Sequence, residues 1–301
     1  MANPWEAEFI VDCELAVQLI ESQFPEIDPV ETKKIGEGFD NTIYRVNEEY
    51  LFRFPRREIA VPLIETEAAI LPRLNSIAPL NIPAPLFYGK PGSHYPWPFL
   101  GYKYVKGSVP TDLSKINGED SARLLGRMLT KIHQFSIGEA VELGVPYDTL
   151  YRVDIEKRKD KMIENMEMLM DSGCVKWEEK WRKFTDSLQH IDYDSPKTLC
   201  HGDLHIRNIL VDEKHTISGI IDWGDVHIGN PAVDLSIVYS LLPKESRGFF
   251  FQEYGEVEEN ILQLARFKAV YTAAVLAVYG IDKKDTFLVS ASIQSLKRSL
   301  D

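Results

Sequence analysis

The densest run of reactive side chains in the chain is Cys200-His201-Gly202-Asp203-Leu204-His205-Ile206-Arg207-Asn208-Ile209-Leu210-Val211. Fourteen residues past Asn208 stands a second acid, Asp222, within Gly219-Ile220-Ile221-Asp222-Trp223-Gly224-Asp225. The apolar run Ile209 to Val211 predicts a short strand, Asp212 to His215 a turn, and Ile217 to Ile221 the return strand. Such a hairpin sets Asn208, at the start of one strand, close to Asp222, at the end of the other, with Asp203 on the loop just before. Phosphoryl transfer to a hydroxyl needs a carboxylate to orient the hydroxyl and accept its proton. It also needs an oxygen-ligand pair to hold magnesium against the phosphates. In this reading Asp203 is the base and Asn208 and Asp222 are the magnesium ligands. Each residue alone is more often a turn former; the joint spacing carries the chemistry.

A rival chemistry uses the same residues. His201, Asp203 and His205 form H-x-D-x-H, a set of ligands that a metal-dependent hydrolase could use. Against it, the remaining histidines form no second cluster, and His201 reads as a scaffold residue bonding the loop backbone.

Phosphates also need a cradle. Ile35-Gly36-Glu37-Gly38-Phe39-Asp40-Asn41 lies between two expected strands, and Gly36 and Gly38 let a backbone approach phosphate and donate N–H groups. Asn41 stands where a third glycine of G-x-G-x-x-G would be. In Leu51-Phe52-Arg53-Phe54-Pro55-Arg56-Arg57, Arg53 lies within an apolar strand and needs a partner. Glu67 on the following helix is the expected partner, with Glu65 the competitor.

The elements that must position these groups read as a helix from Glu6 to Gln23, then strands Lys33–Phe39, Thr42–Val46 and Tyr50–Phe54. A helix follows from Arg57 to Asn75, then strands Pro85–Gly89 and Phe99–Val105. Past Gly107 the pattern turns helical: Gly118–Phe135, Asp154–Met170 and Val175–Gln189. The β island of 198–223 interrupts it, and helices return from Val233. With 301 residues at about 150 per domain, the chain divides into an N-terminal unit, residues 1–105, and a C-terminal unit, residues 106–301. The fold class is α+β.

Lys and Arg number 34 against 46 Asp and Glu, a net −12. That balance argues against a nucleic-acid-coating protein, which needs a cationic surplus. The cysteines, Cys13, Cys174 and Cys200, are odd in number and far apart, so no disulfide framework is expected. No signal-peptide pattern opens the sequence, and the apolar stretch Ala269–Ile281 is shorter than a bilayer span of about 20 residues. The expected location is cytoplasmic, with no membrane partner.

The segment H-G-D-L-H-I-R-N-I-L-V, with I-D-W-G-D downstream, resembles the aminoglycoside phosphotransferase family of small-molecule kinases. The step from Asp203 to Asn208 matches a kinase catalytic loop, and Asp222-Trp223-Gly224 stands where kinases carry Asp-Phe-Gly. Asn230-Pro231-Ala232-Val233-Asp234-Leu235 resembles the family segment that follows. The resemblance implies a two-lobed protein-kinase-like fold, with an N-terminal antiparallel sheet lobe that binds nucleotide and a larger helical catalytic lobe. It implies Mg2+ as cofactor and ATP or GTP as phosphoryl donor. Arg53 falls where relatives carry a phosphate-contacting lysine or sometimes arginine, and the Gly-x-x-Asn arrangement around Asn41 is similar to related small-molecule kinases. Tyr102, Lys103 and Tyr104 would form the hinge whose main chain meets the purine, and Asp234 would brace the catalytic loop.

By the same resemblance the acceptor lies near Asp203, bordered by Asp225, His227 and Asn230. Glu245, Glu253, Glu256, Glu258 and Glu259 are candidates for an acidic cleft that attracts an amine-bearing sugar. An aminoglycoside-type antibiotic is the first expectation for the hydroxyl-bearing partner. A macrolide, choline, homoserine or another metabolite is the alternative, as is a nucleotide-binding regulator with little turnover.

Overall fold

In the first unit, alternation of apolar residues along three neighbouring segments builds a sheet around a buried aromatic cluster. The computed structural model describes residues 7–38, 40–193 and 196–301. Helix α1 (Cys13–Gln23) begins later than the Glu6 expected from periodicity, because the Asp12 carboxylate accepts the Leu15 N–H at 2.9 Å and caps the helix there; Glu6 itself lies outside the described residues. Strands β1 (Thr32–Glu37), β2 (Asn41–Val46) and β3 (Tyr50–Pro55) follow. Phe39, assigned by sequence to the first strand, is also outside the described residues. Asn47 and Glu48 both have positive φ, the geometry of a tight hairpin turn, and the Asn47 side chain pins it to Pro29 and Glu31. Helix α2 (Val61–Asn75) accepts Pro62 in its first turn and Pro72 near its end, and strands β4 (Pro85–Gly89) and β5 (Phe99–Lys103) complete the sheet. Among the described residues the strand order is β1-β2-β3-β5-β4, with every pairing antiparallel. Phe52, Phe54, Phe87 and Phe99 fill the core beneath it, with the Phe54 and Phe99 rings stacked at 4.7 Å.

The second unit is mostly helical. Its elements are α3 (Gly118–His133), α4 (Ile137–Glu142), α5 (Ile155–Asp171), α6 (Glu178–Ser187), β6 (Thr198–Cys200), β7 (Ile209–Val211), β8 (Ile217–Ile220), β9 (His227–Gly229), α7 (Ala232–Ser240), α8 (Arg247–Tyr254), α9 (Glu259–Lys283) and α10 (Thr286–Leu300). Helix α4 and strand β9 carry too few residues for periodicity to reveal them. The unit takes in Ala78–Asn81 as well as residues from Lys106 onward. Asn81 joins it by bridging to Gly219, with the Ile220 N–H donating to its carbonyl at 2.9 Å.

The apolar stretch seen in sequence is the centre of α9. This helix is long and apolar enough to cross a bilayer by length and composition. In the protein it packs on α5, α7 and α10 and buries Phe267, Val270, Ala273, Ala274 and Ala277 among them. Its near-uniform apolarity is that of a core helix.

Candidate active site

Two short ribbons deliver the reactive residues. β7 pairs antiparallel with β8, Ile209 opposite Ile220, and the Ile221 N–H donates to the Asn208 carbonyl at 3.0 Å. This extra bond holds the start of one strand beside the end of the other, so Asn208 and Asp222 emerge at the same end of the hairpin. β6 pairs with β9, Cys200 opposite His227. The loop that leaves β6 therefore lies against the loop that enters β9.

That catalytic loop is braced from below. Asp234, 0 % exposed, accepts the N–H groups of His201 (2.7 Å) and Gly202 (3.0 Å), and its second neighbour is the His133 ring at 3.2 Å. Burial alone would raise the Asp234 pKa; His133, His201 and the Gly202 N–H outweigh it and hold the carboxyl below its usual value. The bracing role implied by resemblance matches this hydrogen-bond set.

His201 is a scaffold. Its Nε2 donates to the Ile221 carbonyl at 3.1 Å, its Nδ1 accepts the Asp203 N–H at 3.3 Å, and its ring meets the edge of buried Trp223 at 4.6 Å. Both ring nitrogens are committed to the backbone, so the H-x-D-x-H ligand set is not assembled. Gly202 has φ +89°, and a Cβ there would fall 2.1 Å from the Asp225 carbonyl oxygen. Only glycine fits between the two loops.

Asp203 is held with one oxygen occupied. Asn208 Nδ2 donates to the Asp203 carbonyl at 2.8 Å and to Oδ2 at 3.3 Å. His205 accepts the Arg207 N–H through Nδ1 and turns Nε2 to Asp203 Oδ2 at 3.2 Å. Partial burial raises the Asp203 pKa, but His205, Lys268 and His201 more than offset it and bring it down to about 2. The carboxylate is therefore ionised throughout the neutral range and positioned to accept a hydrogen bond from a hydroxyl. Because its Nδ2 is fixed on Asp203, Asn208 presents its oxygen as the available donor to a metal. Asp222 is exposed and has φ +64°. An amide oxygen and a carboxylate at one hairpin end are hard oxygen donors of the type that magnesium takes.

Beyond the hairpin the structure departs from the sequence reading. Asp225 is exposed and pairs with Arg152 at 2.7 Å, and Arg152 also pairs with Asp148 at 2.7 Å. His227, expected beside the acceptor, is buried. It is 2 % exposed beneath Gly202, donates through Nδ1 to the Asp225 carbonyl at 2.9 Å, and burial followed by the nearby Arg152 lowers its pKa. Asn230 is likewise buried: its side chain accepts the Ala232 N–H and donates to the Tyr193 carbonyl. Both residues follow the loop in sequence but enter the β9–α7 packing. Glu253, one of the acids assigned to a cleft, is engaged by Arg123 and Arg127.

In the first unit, Arg53 donates from Nη1 to both Glu67 oxygens at 3.0 and 3.1 Å, with Glu67 1 % exposed; Glu65 is exposed. The loop after β1 is stapled by residues that sequence assigned no role: Arg56 reaches Glu37 and the Gly38 carbonyl, and Arg57 reaches Asp40. A Cβ at Gly36 or Gly38 would make only ordinary contacts, at 3.8 and 3.9 Å. Packing within the fold therefore does not demand glycine there. Asn41 is buried, and its Oδ1 has no hydrogen-bond partner among the described residues. The expected hinge is more committed than anticipated: the N–H groups of Lys103 and Tyr104 donate to the carbonyls of Ala84 and Glu49, and the Tyr102 ring is buried. These amides are occupied because β5 lies inside the sheet.

Comparison with known proteins agrees with this architecture. The solved structure of the GDP complex of wild-type aminoglycoside 2'-phosphotransferase-IIIa covers 96% of this chain and 99% of its own, at TM-score 0.67 and 23% identity. Macrolide 2'-phosphotransferase type I covers 94% and 97%, at TM-score 0.56 and 18% identity. Likeness at these identities establishes a shared kinase-like fold. Among curated sequences, the uncharacterized protein YcbJ of Bacillus subtilis (strain 168) is 26% identical over 147 residues, 48% of this chain and 45% of that protein. The chain thus spans about half the length of that relative. The model of the phosphotransferase enzyme family matches residues 31–269, which span the β1–β5 sheet, the catalytic loop and the first turns of α9. The chain belongs to that phosphotransferase family, and it shares its fold with the two solved phosphotransferase structures.

Proposed function

We propose that the protein transfers the γ-phosphoryl group of Mg-ATP or Mg-GTP to the hydroxyl of a small molecule. The observation that carries this reading is the held Asp203 carboxylate: Oδ2 is occupied by Asn208 and His205, while Oδ1 receives no hydrogen bond among the described residues. An acceptor hydroxyl donating to Oδ1 would be oriented for in-line attack, and its proton would pass to the carboxylate as the new bond forms. Asn208 and Asp222 would hold Mg2+, which when bound supplies charge neutralisation at the phosphates. The first unit would bind the nucleotide: Gly36, Gly38 and Asn41 at the phosphates, and Arg53, positioned by Glu67, as the cation. Arg53 keeps the charge of a lysine and presents a planar fork. A cytoplasmic location, where Mg-nucleotide is abundant, is part of the same proposal.

For the acceptor, an aminoglycoside is the reading suggested by the names of the relatives, and a metabolite is the second. The second is favoured by one observation: Glu253 is already engaged by Arg123 and Arg127, which reduces the acidic attraction expected for a polyamine sugar. The test is Mg-dependent release of ADP or GDP. Asp203→Asn should leave nucleotide binding nearly unchanged and reduce turnover by at least 100-fold. Wild-type turnover in that variant refutes the assignment of the base.

A further inference from the structure

We propose that the acceptor carries an oxyanion, a carboxylate or phosphate, beside the hydroxyl that is phosphorylated, and that Lys268 and Arg158 bind that oxyanion. The proposal rests on the phosphotransfer reading above and names the substrate class of the same site.

The chain as a whole is acidic, at −12, yet the surroundings of Asp203 gather cations. Lys268 on α9 feels the charges of Asp203, Asp225, Arg152 and Arg158. Arg152 is neutralised by Asp148 and Asp225. Among the described residues the other two cations make no such contact pair. Arg158 on α5 donates to the main-chain carbonyls of Leu150 and Tyr151 and has no carboxylate at ion-pair distance among the described residues. Lys268 makes no hydrogen bond or ion pair among the described residues. Both are half-buried, and both face one ring: Arg158 lies 5.8 Å and Lys268 5.6 Å from the centroid of Tyr271.

Two partly desolvated cations with no carboxylate at ion-pair distance are unfavourable neighbours, and an anion entering between them offsets that cost. Burial, then Arg152 and Arg158, depresses the Lys268 pKa despite the two nearby aspartates. A second feature points the same way. Thr272 lies one turn beyond Lys268 on the same helix face, and its hydroxyl is buried with no partner among the described residues. An ammonium, a guanidinium and an unsatisfied hydroxyl on facing helices are a donor set for an oxyanion, and they would repel an acceptor that carries ammonium groups.

The test holds the nucleotide site saturated with Mg-ADP and titrates glycerol, D-glycerate, glycerol 3-phosphate and kanamycin by calorimetry. The expected result is that one or both anionic probes bind while glycerol does not. Lys268→Gln and Arg158→Gln should each weaken that binding at least tenfold, and Lys283→Gln, near the far end of α9, should leave it unchanged. The stronger of the two anions identifies carboxylate or phosphate. Absence of anion binding to the wild type, equal binding by the variants, or tighter binding of kanamycin than of either anion overturns the proposal. Asp203-dependent nucleotide turnover, measured separately, reports on phosphotransfer itself. If anions bind as stated but Asp203→Asn leaves turnover intact, the phosphotransfer reading fails and the anion site remains. If turnover depends on Asp203 but no anion binds, only this proposal falls.

Discussion

Replacing Asp234 by asparagine keeps the shape of the side chain and removes a charge from a position with no access to water. Asp234 accepts two main-chain N–H groups, at 2.7 and 3.0 Å, and meets the His133 ring at 3.2 Å. An amide offers one oxygen, so its NH2 must face a donor. One charge-assisted bond is lost and one buried N–H is left unpaired, together about 3 kcal/mol. For a unit of this size that corresponds to a fall in Tm of about 6–12 °C. The loop that it releases carries Gly202 and Asp203, so turnover of the still-folded variant at 20 °C should also fall. The pH dependence has a definite sign. The folded pKa of Asp234 lies below its unfolded value. Its stabilisation is thus present above the unfolded value of about 3.9 and is lost as pH falls through the folded one. The gap in Tm between wild type and Asp234→Asn should narrow below about pH 4. Thermal melts followed by circular dichroism at pH 7 and pH 3.5, with a turnover assay, measure both effects. A Tm within 2 °C of wild type at pH 7 would refute the bracing argument.

Three further outcomes are expected. Gly202→Ala places a methyl group against a carbonyl oxygen at a positive φ, and should cut turnover by at least about 100-fold through displacement of Asp203; activity within tenfold of wild type contradicts the geometry. Arg53→Ala removes the guanidinium paired with the buried Glu67 carboxylate and should cost about 3–5 kcal/mol in urea unfolding, whereas Arg53→Met with Glu67→Leu should regain most of that stability without regaining nucleotide affinity. A double variant as unstable as the single one argues against the pair. Because Asp203 is held to a pKa of about 2, kcat should be flat from pH 8 down to pH 5; an acid limb in that range that moves in Asp203→Glu would show that the base is not held so low, and one that stays would show a different group titrating.

The catalytic loop was readable because its parts are contiguous. Asp203, Asn208 and the β7–β8 hairpin share one stretch, and turn residues between apolar triplets fix the pairing locally. The expected partner of Arg53 was readable for a related reason: an arginine among apolar strand residues demands an acid, and few lie on the next helix. The Arg152 bridge and the cations of α5 and α9 were not. Their positions relative to Asp203 depend on helix packing between elements tens of residues apart. The burial of His227 and Asn230 was not legible because adjacency in sequence does not tell which way a three-residue strand turns its side chains. The pairing of the Lys103 and Tyr104 N–H groups was not legible for a similar reason, since the commitment of an amide depends on its strand neighbours.

Asp222 occupies a backbone region that a glycine or asparagine would enter more readily. A designer seeking the most durable version of this turn would discard the aspartate. An Asp222→Gly protein should melt later and work worse, so screening this chain for thermal resilience alone would drift away from whatever the exposed carboxylate is there to grip. Endurance and activity are set against each other at a single torsion angle, which makes that position a place to watch in any stabilised derivative.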